Sequence, residues 1–336
     1  MHFGDVSFGV VLPTYAGNSL TQAGAETYWG VYDFPVNDKV SWPLVLETAK
    51  RSEELGYESL WAPDHLMIGK NGEILDCWTV LSALSVLTKN VKLGTWVVCN
   101  NYRNPALVAK AATTLATISR NRFILGYGAG WYEAEYVAYG YRFPPPGERI
   151  DMLREGLEII RGMLKNDKFS YTGKNYVVKE AINTPKPTAT VPILIGGWGK
   201  RILNTVAAYA DAWDVGADPT PEQYGNMVAL LTQAMKKRGR PMDELTKSIH
   251  FHVIIGRDEE EVRVRKKQVV DIITTLEPRM RGGRPYKFEF EKPIIGTPQQ
   301  VRQKLEPYVK LGCQRFILMF MDYPAYDSLK LFAESI

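Results

Sequence analysis

The sequence predicts an α/β fold, a (β/α)8 TIM barrel with long insertions at the C-terminal face of its strands, and three observations predict it. Eight short runs rich in Val, Ile, Leu and aromatic residues recur along the 336 residues. Most are continuously apolar rather than alternating, the pattern of parallel strands buried on both faces. Segments of helical period separate them, and strands alternating with helices build a parallel barrel. No Pro/Gly/Ser-rich linker divides the chain, so residues 1–336 read as one domain.

The elements follow in order. The first strand, 6–12, leads into a connection from Pro13 to Val40, long enough to serve as a lid. A helix from Trp42 to Leu55 is stopped by Gly56. Strands at 59–65 and 91–99 follow. Asn104-Pro105 then reads as an N-cap with proline at the first helical position, with Val108, Ala111, Ala112, Leu115 and Ile118 on one face. The fourth strand, 122–129, precedes a helix whose Ile150, Leu153, Leu157, Ile160 and Leu164 step by three and four. A small hairpin at 169–182 comes next, then strands at 192–197, 212–217 and 249–256. A third long connection, 277–293, carries Arg279, Arg281, Arg284 and Lys287. Thr297-Pro298 starts a helix with Val301, Leu305, Tyr308 and Val309 inward and Gly312 as its stop, before the last strand, 315–320.

Composition narrows the function classes. With 45% hydrophobic residues at this length, a large core forms without disulfides or structural metal, and 11% aromatic residues exclude low-complexity disorder. The balance of 41 basic and 37 acidic residues, net +4, is spread along the chain, so no nucleic-acid partner is expected. Cys77, Cys99 and Cys313 lie far apart with no CxxC pair, which suits a reducing compartment. Without a signal-peptide pattern at Met1-His2-Phe3 or an apolar run of about 18 residues, the expectation is a cytoplasmic protein with no membrane partner.

Barrel enzymes keep their chemistry at the C-terminal strand ends, and the polar residues there are the candidates. Strand two ends in Asp64-His65, which alternation sends to opposite sides. A histidine at the mouth can exchange a proton or donate to a ring; alternatively it bonds a neighbouring carbonyl. Strand three ends in Asn100-Asn101, whose amides can fix the edge of a heterocycle or simply build a turn. Strand four runs into Gly126-Tyr127-Gly128-Ala129-Gly130-Trp131-Tyr132. Its glycines let backbone approach a flat ring or phosphate, and its aromatics can stack. Strand five gives Gly196-Gly197-Trp198-Gly199-Lys200-Arg201 at a helix start, where free amides, glycines and two cations suit a phosphate. Neither stretch matches the dinucleotide or Walker A fingerprints. His250 and His252 share a strand face, but no second ligand motif accompanies them, so they read as structural or substrate-lining and no metal is expected.

Taken together these segments resemble the bacterial-luciferase-like superfamily of flavin and deazaflavin oxidoreductases. The carriers are Leu60-Trp61-Ala62-Pro63-Asp64-His65-Leu66, Asn101-Tyr102-Arg103-Asn104-Pro105, the run from Gly128 to Glu135 with Tyr139-Gly140, and Pro144-Pro145-Pro146-Gly147-Glu148-Arg149. Ile193-Leu194-Ile195-Gly196-Gly197 and Tyr209-Ala210-Asp211-Ala212-Trp213 complete them. The order and spacing cover nearly the whole chain and look most like the branch dependent on the deazaflavin coenzyme F420, with flavin mononucleotide (FMN) as the alternative cofactor. The resemblance implies a ring at the barrel mouth, backed by a bulged strand three with a non-proline cis peptide at Trp96–Val97. It implies His65 as the catalytic histidine and Gly196–Gly199 as the phosphate-holding turn. Asp64, Trp96, Val97, Asn100, Asn101, Gly130, Trp131, Tyr132 and Lys200 are the further cofactor-binding candidates. The family's sugar-phosphate dehydrogenases carry an acidic residue where Trp131 stands, so their catalytic pairing does not carry over.

The expected function is hydride transfer between the deazaflavin and a small organic substrate, by a homodimer. One alternative is a monooxygenase using reduced FMN from a separate flavin reductase; another is a non-catalytic flavin-binding barrel. Arg279, Arg281, Arg284 and Lys287 are candidates for holding the deazaflavin's acidic tail, or for a solvated lid.

Overall fold

In the computed structural model, residues 4, 6–15, 40–68, 72–276, 294–322 and 325–336 are described. The chain order is β1 (Ser7–Val11), α1 (Trp42–Glu54), β2 (Ser59–Ala62), α2 (Cys77–Leu87), β3 (Lys92–Thr95), β4 (Val98–Cys99), α3 (Pro105–Ile118) and β5 (Phe123–Gly128). It continues with α4 (Glu133–Ala138), α5 (Pro146–Lys165), β6 (Lys168–Thr172), β7 (Val177–Ile182), β8 (Ile193–Gly196), α6 (Lys200–Tyr209) and β9 (Ala212–Ala217). The last elements are α7 (Pro221–Lys237), β10 (Thr246–Ile255), α8 (Glu259–Leu276), β11 (Ile294–Gly296), α9 (Pro298–Lys310), β12 (Arg315–Phe320) and α10 (Asp327–Ser335).

Parallel pairing runs β1–β2–β3–β5–β8–β9–β10–β12, and β12 returns to β1 with Ser7 opposite Arg315 and Val10 opposite Leu318. The sheet is therefore closed, the expected eight-position barrel. Two details differ from the sequence expectation and a third agrees with it. Strand three is interrupted at Trp96–Val97 and resumes as β4 against β5. The strand expected at 249–256 begins earlier, at Thr246, and β11 adds a short parallel strand along its C-terminal half. The hairpin expected at 169–182 is present as antiparallel β6 and β7.

Local signals explain the helix ends. Asn104 caps α3 by accepting from the Ala106 N–H, with Pro105 first in the helix. Thr297 and Gln300 form a reciprocal capping box at α9. Gly56 and Gly312, just past α1 and α9, sit at φ +82° and +86°, backbone that glycine adopts without steric cost. One residue departs from expectation: Ile118, the last of α3, is 46% exposed while Val108, Ala112 and Leu115 are buried.

Val11, Trp61, Ile124, Leu194, Ala212, Ile317 and Met319 pack inside the barrel, with Trp96 and Val97 partly buried against them. A filled barrel leaves chemistry to its rim. Residues 16–39 and 277–293, with Arg279, Arg281, Arg284 and Lys287, lie outside the described residues. Among the described residues no helix is long and apolar enough to cross a membrane.

Candidate active site

The rim is organised by the break in strand three. The Trp96–Val97 peptide is cis, as the resemblance implied, and both residues turn inward. The glycines of strand four, read from sequence as room for a ligand, make room for this bulge. A Cβ on Gly126 would collide with the Thr95 carbonyl oxygen, and one on Gly128 would lie 2.8 Å from Val97 Cγ2. Gly130, at φ +72°, faces the Tyr136 hydroxyl and, at 2.5 Å from a built Cβ, the Cys99 sulfur. Gly126→Ala therefore sets a methyl against backbone that no rotamer change can move. The expected cost is about 1–3 kcal/mol of overpacking, read as a lower thermal midpoint; an unchanged midpoint would refute this packing role.

Asp64 and His65 do diverge. Asp64 is 4% exposed and turns into the wall. It accepts from the Cys99 N–H at 2.9 Å, from Arg103 on both oxygens at 2.8 and 2.9 Å, and from the Cys77 thiol at 3.3 Å. Through these bonds the carboxylate pins the resumption of strand three. Among the described residues Asp64, Asp76 and Cys77 form one group with metal-ligand spacing, and the Arg103 guanidinium already bridges the two carboxylates.

Asn100 is likewise engaged within the protein. It is fully buried, its amide donating to Asn101 Oδ1 and the Tyr176 hydroxyl while its oxygen accepts from the Tyr127 hydroxyl at 2.6 Å. These bonds tie the end of strand three to β5 and to the hairpin. Asn101 is held in turn, with its own amide 3.7 Å from the Met152 sulfur. Two amides at a strand end carried no signal to separate this from ring recognition.

His65 points the other way. Its Nδ1 lies 2.9 Å from Glu135 Oε2, and the side chain keeps 15% exposure while Glu135 is wholly buried. Glu135 accepts the Leu66 and Met67 N–H groups on Oε1, both at 2.9 Å, and the Tyr102 hydroxyl on Oε2 at 2.7 Å. Four donors on one carboxylate make it an acceptor anchored in place. Burial, with Cys99 and Glu135 nearby, pushes the Tyr102 phenol far above its ordinary range, so it remains a donor. Trp131 meets the His65 ring edge-on at 5.6 Å and is 44% exposed; Tyr132 lies at 6.3 Å. Glu135, four residues after Trp131, is the carboxylate that meets His65. The sequence reading quoted Glu135 without a role, though an acid beside the apolar face of a short helix was the available signal. Cys99 is no nucleophile here: burial pushes its thiol up to about 12.

The strand-five turn stands apart from these. Gly197 and Gly199 take φ +110° and +96°, and α6 starts at Gly199 with no side-chain cap. A Cβ on Gly199 would meet nothing within 4 Å, so the amides there border open space. Lys200 opens the helix and Trp198 is 38% exposed. Arg201, expected as a second cation, instead pairs with Asp151 at 2.7 Å.

A second imidazole–carboxylate pair was missed. His250 on β10 places Nδ1 2.8 Å from Asp214 Oδ2 on β9, and the Trp96 indole N–H approaches the same oxygen at 3.4 Å. An acid inside the apolar run Ala212-Trp213-Asp214-Val215 was its signal. His252, two residues on, is buried with Asp218 at 2.5 Å.

Comparison with known proteins fits this architecture. The family description "luciferase-like monooxygenase" matches residues 6–315. The F420-dependent glucose-6-phosphate dehydrogenase of Microbacterium testaceum (strain StLB037) is 26% identical over 311 residues, 87% of this chain and 91% of its own. Among solved structures, an F420-dependent secondary alcohol dehydrogenase in complex with an F420-acetone adduct has TM-score 0.77 at 20% identity over 98% of each chain. A monooxygenase from Streptomyces bottropensis has TM-score 0.77 at 18% identity over the same shares. At these identities the two structures share the fold.

Proposed function

The chain belongs to the luciferase-like monooxygenase family, and from that premise we propose that it is a deazaflavin-dependent oxidoreductase, moving a hydride between coenzyme F420 and a small organic substrate. The observation that carries this reading is the His65–Glu135 pair at the rim, an imidazole held by a fully satisfied carboxylate and still open to the mouth. The F420-dependent dehydrogenase related over 87% of the chain supports the deazaflavin over FMN.

The residues fit such a cofactor. Gly199 and the uncapped start of α6 offer amides for a phosphate, with Lys200 adjacent, while the Gly197 N–H holds the turn to the Asp214 carbonyl at 2.9 Å. Trp96 and Val97 would back the ring. When bound, the deazaflavin accepts or gives a hydride and reacts poorly with dioxygen. The chain's own part is acid–base and positional. Glu135 accepts from Nδ1 of His65, which fixes the tautomer and gives proton exchange with the substrate to Nε2. Trp131 and Tyr132 pack edge-on against the imidazole at 5.6 and 6.3 Å between ring centres, which limits its rotation.

The test is turnover with and without oxygen, across a panel of alcohols and aldehydes. A hydride-transfer enzyme reduces or oxidises coenzyme F420 at the same rate under anaerobic conditions and consumes no oxygen. Activity that needs reduced FMN and takes up oxygen in step with turnover would replace this reading with the monooxygenase.

A further inference from the structure

The Asp214–His250 pair is not used by the reaction outlined above, yet it lies where that reaction would feel it. Trp96 reaches from the bulge across the barrel, setting its indole edge-to-face with His250 at 4.4 Å between ring centres and its N–H toward Asp214. His250 is thereby part of the floor onto which the Trp96–Val97 bulge opens. Asp214, 3% exposed, is held by the Ser248 hydroxyl at 3.4 Å as well as by His250 and Trp96. It takes Nδ1 of His250, so Nε2 is the nitrogen turned to other partners, on a side chain with 14% exposure. The facing register position on β12 is Ile317, an apolar neighbour.

A flavin and a deazaflavin share a pyrimidinedione edge, and two-electron reduction places negative charge on that part of either ring. We propose that His250, oriented by Asp214, contacts this edge and stabilises the reduced ring, so that the protein binds reduced cofactor more tightly than oxidised. With Nδ1–H given to Asp214, Nε2 donates to that edge as the imidazolium, the proton being taken up from solvent on reduction of the ring. A donor held toward developing charge favours the charged form. Here His250 contacts the cofactor, and Asp214 is a positioning residue acting through it. The inference rests on the proposed function for the presence of a ring, but not on which ring is bound.

The experiment is equilibrium binding of coenzyme F420 and of FMN, each oxidised and each chemically reduced beforehand, under anaerobic conditions. Wild type, His250→Gln and Asp214→Asn are compared. For the wild type the expected result is tighter binding of the reduced form. Each substitution should lower that preference by about tenfold, equivalent to about 30 mV for a two-electron couple. A purely structural pair would lower the thermal midpoint and leave the ratio of the two dissociation constants unchanged, which would overturn the inference. Should one variant fail to fold, the other still reads the ratio. Binding of FMN alone, with a ratio that depends on His250, would keep this inference and remove the deazaflavin reading. Binding of neither cofactor would remove both.

Discussion

His65→Ala is expected to lower turnover by about 10²–10⁴-fold, the range of a lost general acid or base. The loss should fall on kcat, because the imidazole is placed to move a proton and the glycine turn that would hold the cofactor is built from other residues. Cofactor affinity should therefore change little. Folding should survive: the residue is 15% exposed on its side chain, and the acceptor it leaves behind still has three donors. Steady-state kinetics with a verified substrate decide the matter, and an unchanged kcat would take His65 out of the chemistry.

Removing Glu135 should do damage of two kinds. In Glu135→Ala the N–H groups of Leu66 and Met67, the Tyr102 hydroxyl and His65 all lose their acceptor in a site of 0% exposure. Breaking a buried network from one side costs about 3–5 kcal/mol, so denaturant or thermal unfolding should show a large loss. Glu135→Gln keeps the shape and one carbonyl acceptor but turns an NH₂ toward a donor. Its stability loss should be smaller, about 1–3 kcal/mol. Even when folded it should lose activity, because the His65 ring is no longer held in one tautomer. A Glu135→Gln protein with wild-type kcat would show that the carboxylate serves the fold alone.

The barrel was legible because a parallel strand buried on both faces leaves a continuous apolar run. Its helices were legible because capping is local: Asn104 and Thr297 bond groups two or three residues away. The opposite directions of Asp64 and His65 follow from strand alternation and needed no tertiary knowledge. The partners were a different matter. Glu135 lies 70 residues from His65, and Asp214 lies 36 from His250, so only the closed barrel brings each pair together. The strand-four glycines show a further limit. Room for a ligand and room for the Val97 side chain demand the same residue, and only the path of the bulge tells them apart. Asn100 is ambiguous in sequence for a related reason, since a side chain that can satisfy a heterocycle can equally satisfy Tyr127 and Tyr176.

The deazaflavin reading is tested most directly by paired equilibrium titration of the protein with coenzyme F420 and with FMN, followed by their distinct visible spectra. The predicted result is saturable binding of coenzyme F420, tighter than that of FMN. Tight FMN binding with none of coenzyme F420 would contradict it.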